Sequence, residues 1–148
     1  MNKLLRHLLA TIAFRFQKAV NGTSQQYAQL VVGQGVRPPL EIVNHMSNVL
    51  EYARSKFTDT PRVTQELLGW QGEIRRFHEI LFTLDEFLEK NTVEEDLLLT
   101  HIQGPFSDVL THVGQLAMLR RMNHDPVSPL SYVKANIEIG KVGPQQDI

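Results

Sequence analysis

The sequence of 148 residues contains no cysteine. This absence excludes disulfides, zinc sites built on thiolates and a cysteine nucleophile. Any metal in this protein must therefore be held by histidine, aspartate, glutamate or backbone oxygen. A chain without cysteine is also compatible with the reducing cytoplasm, which is the location that we expect.

Acidic residues are absent from the first forty positions, where the chain carries five basic side chains. Such a segment can be a targeting peptide or a helix on a membrane surface. Apolar residues, however, recur at every fourth position from Leu4 to Phe16, which is the pattern of a helix that faces a core. Arg6 and His7 also interrupt the apolar stretch that a signal peptide needs. We therefore interpret this segment as a structural helix.

Long apolar runs are also missing. No run reaches the ~18 apolar residues of a membrane-spanning helix, so we expect no membrane association. The 15 basic and 16 acidic side chains nearly balance, which does not favour a nucleic-acid-binding protein. The length and an apolar content of 42% instead predict a single domain over 1–148 with its own core.

No segment shows the alternation of apolar and polar residues that predicts a strand. Helical spacing divided by glycine and proline instead predicts an all-α protein. We expect helices over 2–20, 40–57, 62–90, 95–101, 105–122 and 130–139, a chain break at Gly104 and Pro105, and a loose tail over 141–148. Four principal helices with short or medium connections favour a four-helix bundle with a short additional C-terminal helix.

Two polar residues interrupt the apolar pattern of the helix predicted over 105–122. Asp108 and His112 lie four residues apart in the sequence, which is about 40° on a helical wheel. A carboxylate buried among apolar neighbours is costly unless it is paired. Three partners would satisfy Asp108: an arginine or protonated histidine on a facing helix, His112 itself, or a metal ion.

His45, on the second long helix, supplies a third candidate ligand. A lone histidine at the edge of an apolar stripe is most often a partly buried side chain with a hydrogen bond, and that alternative stays open. With Asp108 and His112 it would complete a set of two histidines and one carboxylate. Such a set suits iron, nickel or zinc and leaves coordination positions for water or substrate. His101 is a substitute ligand.

These motifs resemble those of a known family. The sequence NHM, followed much later by DVLTHVGQLAMLRR, is similar to the DinB-like metalloenzymes, which have one histidine on the second helix and an HxxxH pair on a later helix. His45 matches the early ligand, and His112 matches the second histidine of the pair. Asp108 stands where the family more often has the first histidine. The Gly-Gln that ends at Gln115 matches as well.

The resemblance implies an up-down-down-up bundle and a homodimer. It implies that His45, Asp108 and His112 hold a divalent nickel, zinc or iron ion. It also implies an enzyme of the thiol S-transferase or isomerase type, with a low-molecular-weight thiol as cosubstrate. Gln115 either forms a hydrogen bond near this site or is an exposed or helix-packing amide.

Two questions about function stay open at this point. The candidates for a general base are only His78, Glu73 and Tyr132, and no spacing in the sequence selects among them. The alternative function is a non-catalytic bundle that acts as a binding or stress-response partner, in which the metal is structural or absent. A closed shell of four ligands, or an arginine paired with Asp108, would favour this alternative.

Overall fold

The computed structural model describes residues 2–63 and 65–148, and its regular structure is helical. The long helices are α1 (Lys3–Val20), α3 (Pro39–Thr58), α4 (Trp70–Lys90) and α6 (Ser107–Met122), and the short ones are α2 (Gln25–Ala28) and α5 (Glu95–His101). The described residues form no strand, so the predicted all-α class is confirmed. None of the described helices combines the length and the apolar composition that crossing a bilayer requires.

Each of the four long helices packs against two others, because α1 and α3 both contact α4 and α6. The space between them is filled by large apolar side chains that are fully buried. They include Leu9, Ile12, Phe16, Met46, Leu50, Phe77, Leu81, Leu84, Phe106 and Leu116. Burial of each such side chain contributes about 1.5–3 kcal/mol, so this core positions the four helices.

Contacts between the helices show their relative directions. Two helices are parallel when the residue numbers of successive pairs rise together, and antiparallel when one number rises as the other falls. The pairs are Asn44–Glu73 and Asn48–Arg76, Arg6–Asp85 and Gln17–His78, and His45–His112 and Phe57–Phe106. Therefore α3 is parallel to α4 and antiparallel to α6, and α1 is antiparallel to α4.

The start of α4 differs from the prediction. The sequence predicts a helix from residue 62, but α4 begins at Trp70. Gly69 lies in an extended conformation just before it, and the Leu68 N–H donates a hydrogen bond to the Glu73 carboxylate at 3.0 Å. This side-chain acceptor replaces a helical carbonyl, and glycine lowers helix propensity in the same stretch. Leu67, which lies within the predicted helix, is outside α4 and exposed.

The predicted break at Gly104 and Pro105 is also wrong. The backbone passes from α5 into α6 through one π-helical turn, Ile102–Phe106. Proline lacks an N–H and clashes with the carbonyl of the preceding turn, and a wider turn accommodates both effects. The Ser107 hydroxyl donates to the Ile102 carbonyl, which gives this carbonyl an additional partner. The first turn of α6 therefore continues directly from α5.

The predicted C-terminal helix over 130–139 is reduced to one 3-10 turn, Tyr132–Lys134. A helix of this length does not offset its nucleation cost without a buried face, and Val133 is almost fully exposed. Side-chain contacts hold the segment instead. The Tyr132 ring lies 3.8 Å from the Arg15 guanidinium carbon and contacts the edge of Phe14.

The segment 141–148, expected to be a loose tail, is anchored to the core at one residue. Val142 is buried, and its carbonyl oxygen lies 2.8 Å from the ring Nδ1 of His78. The hydrogen bond and the burial together hold this part of the tail against α1 and α4, the two helices that His78 joins through Gln17.

Candidate metal centre

His45 on α3 and the pair Asp108 and His112 on α6 lie together where these two helices pack. The Nε2 atoms of His45 and His112 lie 3.5 and 3.4 Å from the same carboxylate oxygen, Asp108 Oδ2. One candidate ligand atom from each of the three residues lies within 4.8 Å of the others. The structure thus brings together the three residues that the sequence analysis names as metal ligands.

The local sequence explains this placement. Asp108 is in the first turn of α6 and His112 is one turn later, so both side chains lie on the same side of the helix. The neighbours Val109 and Val113 are buried, which fixes the rotation of α6 and places the two polar residues at the border of its buried face. On α3, the buried Met46 fixes His45 in the corresponding way.

Asp108 is more exposed than the sequence pattern predicts. Its side chain is 43% exposed, compared with 37% for His45 and 15% for His112. The expectation that Asp108 needs a partner because it is buried is therefore wrong, since water reaches the carboxylate at the edge of α6. The observations that indicate a metal site are instead the proximity of the three ligand atoms and the hydrogen bond between Gln115 and His112.

The distances from Asp108 to the two histidines are longer than those of short charge-assisted hydrogen bonds. Charge-assisted hydrogen bonds between nitrogen and carboxylate oxygen are usually about 2.7–2.9 Å long. Ligand atoms that lie about 2.1 Å from a tetrahedral ion are about 3.4 Å from one another. The separations of 3.4 and 3.5 Å at Asp108 are close to the second value, and all three ligand atoms lie within 4.8 Å of one another. The three residues could therefore hold a metal ion.

Gln115 controls the ring of His112. Its side-chain oxygen Oε1 lies 2.8 Å from His112 Nδ1. Because a carbonyl oxygen only accepts, Nδ1 carries the hydrogen and donates it. When His112 is neutral, the lone pair of Nε2 therefore faces Asp108. Fixing one ring nitrogen in this way is how residues behind a metal ligand orient it.

The pKa of His45 is held below its ordinary value. Partial burial of the imidazole is the main cause, and the positive charges of His112 and Arg37 lower the pKa further. The Asp108 carboxylate opposes these effects without cancelling them. Metal ions bind the neutral imidazole, so this shift keeps His45 in the binding form to a lower pH than an ordinary histidine.

A cleft of about 630 Å³ opens beside His45 and His112. This volume lies within the usual range of small-molecule sites, about 300–1,000 Å³. The loop between α2 and α3 forms one wall, and the second half of α6 forms the other. The lining is Val32, Gly33, Gln34, Gly35, Val36, Arg37, Ile42, His45, His112, Gln115, Met118, Leu119 and Met122. An ion held by the three candidate ligands would thus lie at the edge of a largely apolar cleft.

The sequence analysis did not select Arg37, Met118 or Met122. The two methionines follow Gln115 at spacings of three and seven residues, a pattern that places them on the same side of α6. This signal was available in the sequence. Arg37 had no such signal, because its position depends on the course of the loop.

The other candidates lie away from this centre. His101, the substitute ligand, is buried against Phe57 and Phe106, and its Nδ1 lies 2.8 Å from the Leu97 carbonyl oxygen of its own helix. The proposed general bases lie elsewhere too, since none lines the cleft. They are Glu73 between α3 and α4, His78 between α1 and α4, and Tyr132 against α1.

Comparisons with known proteins give no matching family model, no matching curated protein and no matching solved structure.

Proposed function

We propose that this chain is a metal-dependent enzyme of the DinB-like type. In this proposal His45, Asp108 and His112 hold a divalent nickel, zinc or iron ion, and the adjoining cleft receives a small molecule. The reaction is transfer or isomerisation with a low-molecular-weight thiol, or attack by water. The bound ion would supply Lewis acidity, which lowers the pKa of the thiol or water.

One observation carries the proposal: one ligand atom from each of His45, Asp108 and His112 lies within 4.8 Å of the others. Gln115 accepts the Nδ1 hydrogen of His112, so the ring, when neutral, presents the lone pair of Nε2 toward the Asp108 carboxylate 3.4 Å away. His45 Nε2 approaches the same carboxylate oxygen. Nitrogen and oxygen ligands so placed can share one cation. A divalent ion is the cation that this combination of nitrogen and oxygen donors selects.

The protein groups around the site leave coordination positions free. Within residues 2–63 and 65–148, no arginine or lysine pairs with Asp108, and no fourth histidine or carboxylate joins the three. An arginine paired with Asp108, or a fourth ligand, would have favoured a non-catalytic protein. The openness toward the cleft therefore supports a site at which a small molecule reaches the ion.

The directions of the helices also support the DinB-like assignment. With α3 parallel to α4 and antiparallel to α6, and α1 antiparallel to α4, the four long helices run up-down-down-up.

The proposal includes a homodimer, which follows from the resemblance alone. In this site the two histidines would be nitrogen ligands, the Asp108 carboxylate would lower the net charge by one, and Gln115 would orient His112.

The test is spectroscopic. Metal-free protein would be titrated with cobalt(II), and the visible absorption recorded before and after addition of 2-mercaptoethanol. The proposal predicts uptake of one ion and a changed spectrum with thiol, because a new ligand enters the coordination shell. His112→Ala should lose the uptake, whereas His7→Ala, at an exposed histidine of α1, should retain it.

Two results would contradict the proposal. If wild type takes up no ion, the three residues are only a polar cluster and the metal site is wrong. If an ion binds but the thiol and other small ligands leave its spectrum unchanged, the coordination shell is closed. The second result would favour the non-catalytic alternative, a binding or stress-response protein with a structural metal.

A further inference from the structure

Several of the apolar side chains that line the cleft are exposed to solvent. Met118 is 67% exposed, Met122 is 51% exposed and Val36 is 43% exposed, and all three line the same cleft. Contiguous exposed apolar residues mark sites for apolar partners. Methionine is suited to this role because its flexible, polarisable side chain adapts to the shape of a ligand.

Arg37 adds a positive charge to this apolar lining. It is exposed and lines the cleft, and it forms no hydrogen bond or ion pair with the residues that the structure describes. Arg37 and His45 line the same cleft, so the guanidinium lies in the site that the metal ligands border. In contrast, Arg6 and Arg54 are paired with carboxylates at 2.9 and 2.6 Å.

The loop that carries Arg37 turns sharply through left-handed backbone. Gly33, Gln34 and Gly35 have φ values of 86°, 58° and 74°. These values lie in the left-handed region, which is unfavourable for residues other than glycine. A hydrogen bond of 3.1 Å from the Val36 N–H to the Gly33 carbonyl closes the turn. These features direct the chain back toward α3 and place Val36 and Arg37 at the wall of the cleft.

We infer that the cleft binds a small molecule with an apolar body and one carboxylate, and that Arg37 binds the carboxylate while Met118 and Met122 contact the body. This inference rests on the proposed function, because it takes the cleft beside the metal ligands as the substrate site. A guanidinium matches the planar geometry of a carboxylate and donates two hydrogen bonds to it. The substrate class is thus an apolar monocarboxylate.

The test compares octanoate with octanamide, which has the same apolar body and no charge. Binding of each would be measured by calorimetry on the full chain, both metal-free and zinc-loaded. We expect octanoate to bind about 5-fold more tightly than octanamide, since one charge-assisted contact at an exposed site contributes up to about that factor. Arg37→Gln should remove the preference. Arg121→Gln, an exposed arginine of α6 outside the cleft, should retain it.

Methionine methyl resonances locate the ligand independently. The sequence has four methionines; Met118 and Met122 line the cleft, whereas Met46 is fully buried in the core. Octanoate should shift the resonances of Met118 and Met122 and leave that of Met46 unchanged. Absence of binding by both probes, or shifts away from the two cleft methionines, would overturn the inference.

The design separates this inference from the proposed function. If the preference for octanoate needs zinc and persists in Arg37→Gln, the carboxylate binds the ion; the role of Arg37 is then wrong and the metal site stands. If no metal binds but the metal-free protein shows the Arg37-dependent preference, the inference stands and the proposed function is wrong. Equal affinity for octanoate and octanamide in wild type would overturn the inference in either case.

Discussion

Two neighbouring residues of α3, Asn44 and His45, lie in polar clusters of opposite kinds. Asn44 faces α4, where its amide donates to the fully buried Glu73 carboxylate at 3.1 Å. His45 faces α6, where its ring lies beside Asp108 and His112 at the edge of an open cleft. One turn of helix thus contributes to a closed cluster on one side and an open cluster on the other.

The clusters differ in charge balance and in access to solvent. In the closed cluster, Glu73 Oε1 accepts from Asn44 and from the Leu68 N–H, and the Arg76 guanidinium lies 3.6 Å from Oε2, which has no hydrogen bond. In the open cluster, no arginine or lysine of the described residues pairs with Asp108, and its side chain is 43% exposed. A buried carboxylate paired with an arginine belongs to the folded core, whereas accessible nitrogen and oxygen atoms without such a partner can hold a cation.

The largest expected effect lies in the closed cluster. Glu73→Leu should lower the free energy of unfolding by about 3 kcal/mol or more, because it leaves the Arg76 charge without its carboxylate in a buried position. It also removes the acceptor for the Leu68 N–H, which precedes α4. Urea denaturation of the metal-free protein measures the effect.

Glu79→Gln, at an exposed residue of the same helix, is the matched control and should change the free energy of unfolding by at most ~0.5 kcal/mol. A loss below ~1 kcal/mol for Glu73→Leu would mean that the closed cluster does not stabilise the fold in this way.

The next largest effect is a loss of zinc affinity, caused by a substitution in the open cluster. Asp108→Asn should weaken zinc binding at least ~100-fold, because a direct ligand contributes no less than the residues that orient it. The same variant should leave the metal-free stability within ~0.5 kcal/mol, since Asp108 is half-exposed. Competition with a chromophoric chelator measures the affinity. Unchanged zinc affinity in Asp108→Asn would remove the carboxylate from the ligand set.

A smaller effect is expected at Gln115, which touches the open cluster without belonging to it. Gln115→Ala should weaken zinc binding about tenfold, because His112 loses the acceptor that fixes its ring. Gln71→Ala, at an exposed glutamine of α4, should have no effect on the same measurement. If both variants bind zinc as wild type does, the hydrogen bond between Gln115 and His112 does not orient the ligand.

The smallest effect is a pH dependence in the buried region. The pKa of His101 is lowered, mainly by burial and further by the charge of Lys56, against an opposing hydrogen bond to the Leu97 carbonyl. The unfolded chain, with a histidine pKa of about 6.5, then binds the proton more readily. Stability is therefore full above about pH 6.5 and declines as the pH falls toward the lowered pKa.

His101→Phe keeps an aromatic ring against Phe57 and Phe106 and removes the titrating group. The variant removes the Nδ1 hydrogen bond to the Leu97 carbonyl, whereas the buried Nε2 has no hydrogen-bond partner, so the loss at pH 7.5 should not exceed about 1.5 kcal/mol. The urea midpoint of metal-free protein should fall less between pH 7.5 and pH 5 in this variant than in wild type. An identical decline in the two proteins would show that His101 does not contribute to the pH dependence.

The sequence predicts the long helices well because their buried stripes repeat with helical spacing. It fails where a tertiary contact competes with local propensity. Glu73 accepts the Leu68 N–H and so delays the start of α4, and a π-helical turn carries the chain past Pro105. Tyr132 packs on α1 instead of continuing a helix.

The candidate site could also be predicted only in part from the sequence. The spacing of Asp108 and His112 places them together on any helix, and the resemblance adds His45. The exposure of Asp108 and the position of Arg37 were not predictable. Both depend on how α6 is rotated against α3 and on the course of the loop through Gly33 and Gly35, which no local pattern in the sequence determines.

The central claim, a metal site formed by His45, Asp108 and His112, is tested most directly by elemental analysis. Wild type and His112→Ala would be purified without a metal-affinity tag and compared after zinc loading and removal of free ion. We predict close to one divalent ion per chain in wild type and almost none in His112→Ala, with both proteins folded. Wild type that holds no ion after loading, or His112→Ala that holds as much as wild type, would contradict the claim.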